Sequence, residues 1–89
     1  MKYYKFEEEF DWKELTQAVE EAEANDTRCW DLEELMTDSV ICGSQTPEQV
    51  EDIDESIDGL FMEDGEEGDS VECTVIHDGK IVYEFDYLL

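Results

Sequence analysis

Of the 89 residues, 28 are Asp or Glu and 5 are Lys or Arg, which leaves a formal charge of -23 on a chain of 10.4 kDa. That balance excludes a protein that grips phosphate backbones directly or settles on an anionic membrane surface, since both need clustered Lys and Arg. No apolar run approaches the roughly 18 residues of a membrane span. Residues 1–6 lead straight into Glu7-Glu8-Glu9 with no apolar signal core. The expectation is one compact acidic domain over residues 1–89, cytoplasmic in location. High net charge marks disorder when apolar residues are scarce. Here they make up 40% of the chain, with two Trp, four Tyr and four Phe, and they recur periodically, so a thin core is expected.

Residues 2–6 are rich in aromatics and suit a short strand, although Phe6 and Phe10 equally share a helix face. Asp11 predicts an N-cap with Glu14 as its reciprocal partner. Trp12, Leu15, Val19 and Ala22 then recur at helical spacing, predicting a helix as far as Ala24. Asn25-Asp26-Thr27 breaks it. Asp31 and Glu34 repeat the cap pattern around Leu32, Leu35 and Met36, which predicts a second, short helix. Residues 40–43 read as a turn or a short strand. Thr46-Pro47-Glu48-Gln49 reads as a third helix start, with Thr46 as cap and Pro47 at the first helical position. Val50, Ile53, Ile57, Leu60 and Phe61 follow within an arc of roughly 100° at helical spacing. Residues 63–69 read as a loop.

Residues 70–77 and 80–87 flank Asp78-Gly79, the pattern of a two-residue hairpin turn. Val71, Cys73 and Val75 fall on one face of the first strand; Ile81, Tyr83, Phe85 and Tyr87 fall on one face of the second. The expected fold is α+β, with two or three helices packed on a small antiparallel sheet and a C-terminal β-hairpin.

The sequence holds no nucleophile elbow, phosphate loop or dinucleotide glycine pattern. Among so many carboxylates, no acid–base pair stands out. Cys29, Cys42 and Cys73 are odd in number and form no CxxC pair, which predicts reduced thiols. With the lone His77, predicted as a structural or exposed imidazole, they give no zinc spacing. Asp54, Ser56, Asp58 and Gly59 match the first half of a calcium loop, but Gly65 stands where its closing Glu belongs. No catalytic residue, cofactor or metal site is expected, and the chain reads as a non-enzyme.

The acid itself is the remaining signal. On the predicted third helix, Glu48, Glu51, Asp52, Glu55 and Asp58 face solvent. The pairs Glu48/Asp52, Glu51/Glu55 and Asp54/Asp58 would each oppose that helix by about 0.2–0.5 kcal/mol. No Lys stands between Lys13 and Lys80 to relieve them. Glu20, Glu21 and Glu23 on the first helix, and Glu63, Asp64, Glu66 and Glu67 in the loop, continue the one-sided pattern. Together these are the expected partner-binding residues. Tyr3, Tyr4 and Tyr87 are candidate aromatic anchors, with core packing as their competing role. A globule of this length measures about 31 Å across, and duplex DNA of that length carries about 18 negative charges. The charge of this chain is of the same size.

In size, acidity and compact α+β architecture the chain resembles the acidic DNA-mimic inhibitors of bacteriophages and mobile elements. These are the anti-CRISPR proteins, the anti-restriction proteins and the uracil-DNA glycosylase inhibitors. The resemblance spans the whole chain as composition and architecture, and no shared motif carries a residue's role across. It implies a non-enzymatic inhibitor, monomer or homodimer, in the cytoplasm of an infected bacterial cell. The implied target is the DNA-binding groove of a basic protein, a CRISPR effector subunit, with no direct contact to nucleic acid and none to membrane. A restriction enzyme or DNA glycosylase is the alternative target. An acidic adaptor on a basic non-nuclease protein, and adaptation to high salt, are the alternative readings.

Overall fold

In a computed structural model, which describes residues 2–6, 11–43 and 47–89, two helices stand between a first strand and four later ones. In order, these are β1 (Tyr3–Phe6), α1 (Trp12–Ala24), α2 (Trp30–Leu35, continued through Met36–Ile41 in wider π-helical turns), β2 (Glu48–Val50), β3 (Gly59–Glu63), β4 (Ser70–His77) and β5 (Lys80–Leu88). Glu7 to Glu9, Phe10 and the Thr46 cap lie outside the described residues. No helix among the described residues is long and apolar enough to cross a membrane.

Local chemistry accounts for the helices. Asp11 caps α1, its Oδ1 accepting the Glu14 N–H at 3.2 Å, and Leu15, Val19 and Ala22 are buried along the predicted stripe. The second helix begins two residues earlier than its sequence suggests, at Trp30 and not after an Asp31 cap. Cys29 precedes it with no side-chain cap, and Asp31 sits in the first turn, where a negative charge suits the helix dipole. Residues 40 and 41 continue this helix, neither turn nor strand. Its π-helical part ends with the Cys42 N–H bonded to the Thr37 carbonyl at 2.8 Å.

The strands form one five-stranded antiparallel sheet in the order β2-β1-β3-β4-β5. Asp78 and Gly79 take positive φ (56° and 73°), as a tight turn matched to the strand twist requires. Further along, the pairing shifts between Val75 and Ile76, so Val75 faces Tyr83 while Ile76 faces Ile81. One face of the sheet carries Tyr4, Phe6, Leu60, Met62, Val71, Cys73, Val75 and Phe85. These pack with Leu15, Val19, Leu32, Met36 and Val40 of the two helices in a single core.

The third predicted helix is corrected by the structure. Its five apolar residues are divided: Val50 ends β2, Ile53 and Ile57 lie half-buried in a loop, and Leu60 and Phe61 fall on opposite faces of β3. Three physical features turn this segment away from a helix. Val50, Ile53 and Ile57 are β-branched. The like-charge pairs noted above would oppose helical turns. Asp54 also offers the backbone a local alternative, its Oδ1 accepting both the Ser56 N–H at 2.9 Å and the Ser56 hydroxyl at 2.6 Å. The observed architecture is therefore two helices on one face of a five-stranded sheet, the α+β class with the C-terminal hairpin in place.

Since β2 and β3 both run antiparallel to β1 and flank it, residues 51–58 form a crossover between parallel strands. The crossover lies over the face that the helices leave open. Its residues Asp52 to Glu55 share a cleft with Ile81 of β5, and the pKa of Asp54, lowered first by its bonds from Ser56, is lowered further by the Lys5 charge. Beneath that face Lys5, Phe61 and Ile76 are buried. Gly59 lets β3 start tight against β1: a side chain there would approach the Phe6 carbonyl oxygen to 2.9 Å, at a φ of +147°.

Candidate functional site

Alternation along β4 and β5 puts Val71, Cys73 and Phe85 inward, so Glu72, Glu84 and Asp86 point from the opposite face. Glu72 pairs with Asp86 across the ladder, and Thr74 with Glu84. One step beyond the Met62–Cys73 pair, Glu63 of β3 comes beside Glu72. Four carboxylates from three neighbouring strands thus form one group. Glu72, at its centre, is held above the ordinary carboxyl value, first by the Glu84 carboxyl as hydrogen-bond partner and as charge, then by partial desolvation, and last by Glu63 and Asp86. Among the described residues none of the four faces a Lys or Arg directly across the ladder; Lys5 lies buried on the same face, in the row of Phe61, Thr74 and Glu84.

The predicted contact residues divide by layer. Glu63 belongs to the carboxylate group itself. Asp64, Glu66 and Glu67 follow it in a loop tied down by backbone bonds. Asp64 N–H reaches the Lys2 carbonyl at 3.0 Å, and Gly68 N–H reaches the Leu89 carbonyl at 2.9 Å. Glu51, Asp52 and Glu55 are exposed on the crossover over the same face, and Glu48 is exposed on the edge strand β2. Glu20, Glu21 and Glu23 are exposed on α1, in the helix layer, which packs on the other side of the sheet. The sheet does not bring them to this group.

Asp58 has a structural role. One of its oxygens accepts the Asp78 N–H at 2.9 Å, and the other lies 3.0 Å from His77 Nδ1. Those bonds, the backbone one foremost, hold its pKa below the ordinary carboxylate range. The His77 ring stacks on Trp12 with centroids 4.3 Å apart, so the lone imidazole braces the hairpin turn against α1. Asp54 and Ser56 serve the crossover turn described above. Among the described residues no group of His, Cys, Asp and Glu is arranged to hold a metal ion.

Sequence reasoning missed Glu72, Glu84 and Asp86. Their signal was present as the outward half of the alternation read for Val71, Cys73, Val75 and Phe85. It also missed the exposed aromatic. Tyr3, Tyr4 and Tyr87 are all half-buried, the last two against the core, whereas Trp30 keeps 65% of its surface exposed. Arg28 lies over the Trp30 ring, 4.3 Å from its centroid, and pairs through its Nε and terminal nitrogen with both oxygens of the buried Glu33. That pairing raises the Arg28 pKa further. Compared with known protein families, with curated proteins and with solved structures, the chain finds no match in any of the three.

Proposed function

We propose that the chain is a non-enzymatic inhibitor that occupies the nucleic-acid-binding groove of a basic partner, its carboxylates standing where phosphates would. Glu72 carries this reading. It sits among Glu63, Glu84 and Asp86 on a hydrogen-bonded sheet, with its pKa raised by their proximity. Like charges on facing strands oppose folding, and opposite charges there would support it. A sheet shaped for stability alone would place Lys or Arg in this group. Strands stand about 4.8 Å apart and alternate residues about 6.8 Å apart along each strand, so the group is a dense and rigid array of anions.

Scale supports the same reading. The longest dimension is 33 Å, over which duplex DNA carries about 19 charges, against a net -23 here. Partner arginines would bind the carboxylates in bidentate pairs, and the field of the whole chain would speed the encounter. The favoured target is the DNA-binding groove of a CRISPR effector subunit, on the resemblance to acidic anti-CRISPR proteins. The grooves of a restriction enzyme or a DNA glycosylase present the same chemistry.

The test is displacement of a labelled DNA duplex from purified CRISPR effector complexes, restriction enzymes and uracil-DNA glycosylase at low salt. The wild-type chain displaces the duplex from at least one of these. The double reversal Glu72→Lys with Glu84→Lys abolishes displacement while the fold is kept or gains stability. Failure to displace DNA from every target contradicts the reading.

A further inference from the structure

Trp30 opens α2 and leaves most of its indole in solvent, yet a chain of bonds fixes it. Arg28 stacks on the ring, Glu33 holds Arg28, and Tyr83 of β5 donates its hydroxyl to Glu33 Oε2 at 2.8 Å. The Tyr83 oxygen in turn accepts the Cys29 N–H at 3.1 Å, immediately before Trp30. An exposed indole and a restricted side chain both cost free energy in the isolated chain. Beside the ring lies a cleft of about 390 Å³, lined also by Arg28, Glu33, Glu34, Thr37, Phe85 and Asp86. Glu33 takes the ion pair with Arg28, whose charge also reaches Asp86, so three carboxylates line the cleft against one cation and Glu34 and Asp86 are left over. Neither is hydrogen-bonded or ion-paired to another described side chain. Asp86 also pairs across the ladder with Glu72. The acidic face therefore continues round the outer edge of β5, which has no further strand, into this cleft.

We propose that the Trp30 cleft is the anchor of the partner interface and receives an arginine side chain of the basic partner. The aliphatic stem packs against Trp30 and Phe85, and the guanidinium lies between Glu34 and Asp86. Charge complementarity selects a cation, since an anionic group would meet both carboxylates. The aromatic wall selects arginine over lysine, because a guanidinium is planar, weakly hydrated and stacks on indole, whereas an ammonium holds its water. Exposed Trp in an acidic cleft also matches the anatomy of interface hot spots. This inference rests on the basic-partner reading above and adds a division of labour: the sheet carboxylates attract, and the Trp30 cleft discriminates.

The probes are nona-arginine and nona-lysine peptides, equal in charge, titrated by calorimetry at low salt into the full chain. The variants are Trp30→Ala, Asp86→Asn and the double reversal Glu51→Lys with Glu55→Lys. The wild-type chain binds nona-arginine about tenfold more tightly than nona-lysine. Trp30→Ala brings the two peptides within about twofold, and Asp86→Asn reduces the preference several-fold. The double reversal weakens both peptides alike and keeps the preference. Equal affinities in the wild type, or a preference that survives Trp30→Ala, overturn the anchor and leave the acidic decoy standing. Binding of neither peptide overturns both.

Discussion

Tyr83 and Glu33, 50 residues apart, meet where the helices cover the sheet, the phenol donating to Glu33 Oε2 at 2.8 Å. The same phenol oxygen accepts the Cys29 N–H at 3.1 Å, so one side chain of β5 ties down the start of α2. Burial raises the Tyr83 pKa, and the bond to Glu33 adds to it. Tyr83→Phe strips a partner from both the Cys29 N–H and the buried Glu33 carboxylate. Urea unfolding should show a loss of about 1–2 kcal/mol with an unchanged slope. No measurable loss would mean that water replaces the phenol.

The carboxylates predict an unusual pH profile. Glu72 is raised above its ordinary value of 4.5, so between that value and the raised one the folded chain binds more protons than the unfolded chain. Stability therefore falls as pH rises through this window. Asp54 and Asp58 are shifted the other way, below 3.8, by hydrogen bonds from Ser56 and from the Asp78 N–H. Their contribution is present above that value and is lost as pH falls through the lowered ones. For these groups thermal unfolding should show greatest stability between the ordinary values of 3.8 and 4.5, and less at pH 7. Glu72→Gln should raise Tm at pH 7 and flatten the upper limb. A Tm that climbs steadily from pH 5 to 7 would contradict this account.

Part of this was legible in the sequence, for reasons of range. Asp78-Gly79 fixes its hairpin through φ preferences of two adjacent residues, and Asp11 fixes the start of α1 through a bond to Glu14. Both are local. The segment containing Val50, Ile53, Ile57, Leu60 and Phe61 was misread because its spacing fits a helix, while its true partners are distant. Val50 pairs with Tyr3, and Leu60 and Phe61 pair with Phe6 and Lys5. Helical periodicity records none of that. Without β3, Glu63 could not be placed beside Glu72, so the carboxylate group was only partly visible. Trp30 was hidden for a different reason. The residues that hold it, Arg28, Glu33 and Tyr83, come together only in space.

The thiols should react very unequally. Cys42 is exposed, 3.2 Å from the Tyr87 hydroxyl, while Cys29 and Cys73 are buried. Burial, with Asp86 and Glu72 nearby, pushes the Cys73 thiol up to about 12, which leaves almost no thiolate at neutral pH. Iodoacetamide at pH 7 should add one label quickly, mapped by mass spectrometry to Cys42. All three cysteines should label in urea. Rapid labelling of Cys73 in the folded chain would contradict its place in the core.

Salt should act in opposite directions on the fold and on the complex. A net charge of -23 repels itself, and screening relieves that repulsion, so Tm should rise between low and moderate ionic strength. The same screening should weaken binding to a basic partner, with log Kd rising steadily with log salt. A complex that tightens with added salt would point to apolar recognition instead.

The central claim is tested most directly by the structure of the chain bound to a partner captured by DNA-reversible affinity. The account predicts Glu63, Glu72, Glu84 and Asp86 within about 4 Å of partner Lys and Arg, in the groove that otherwise holds nucleic acid. Carboxylates left facing bulk water, with that groove open, would contradict it.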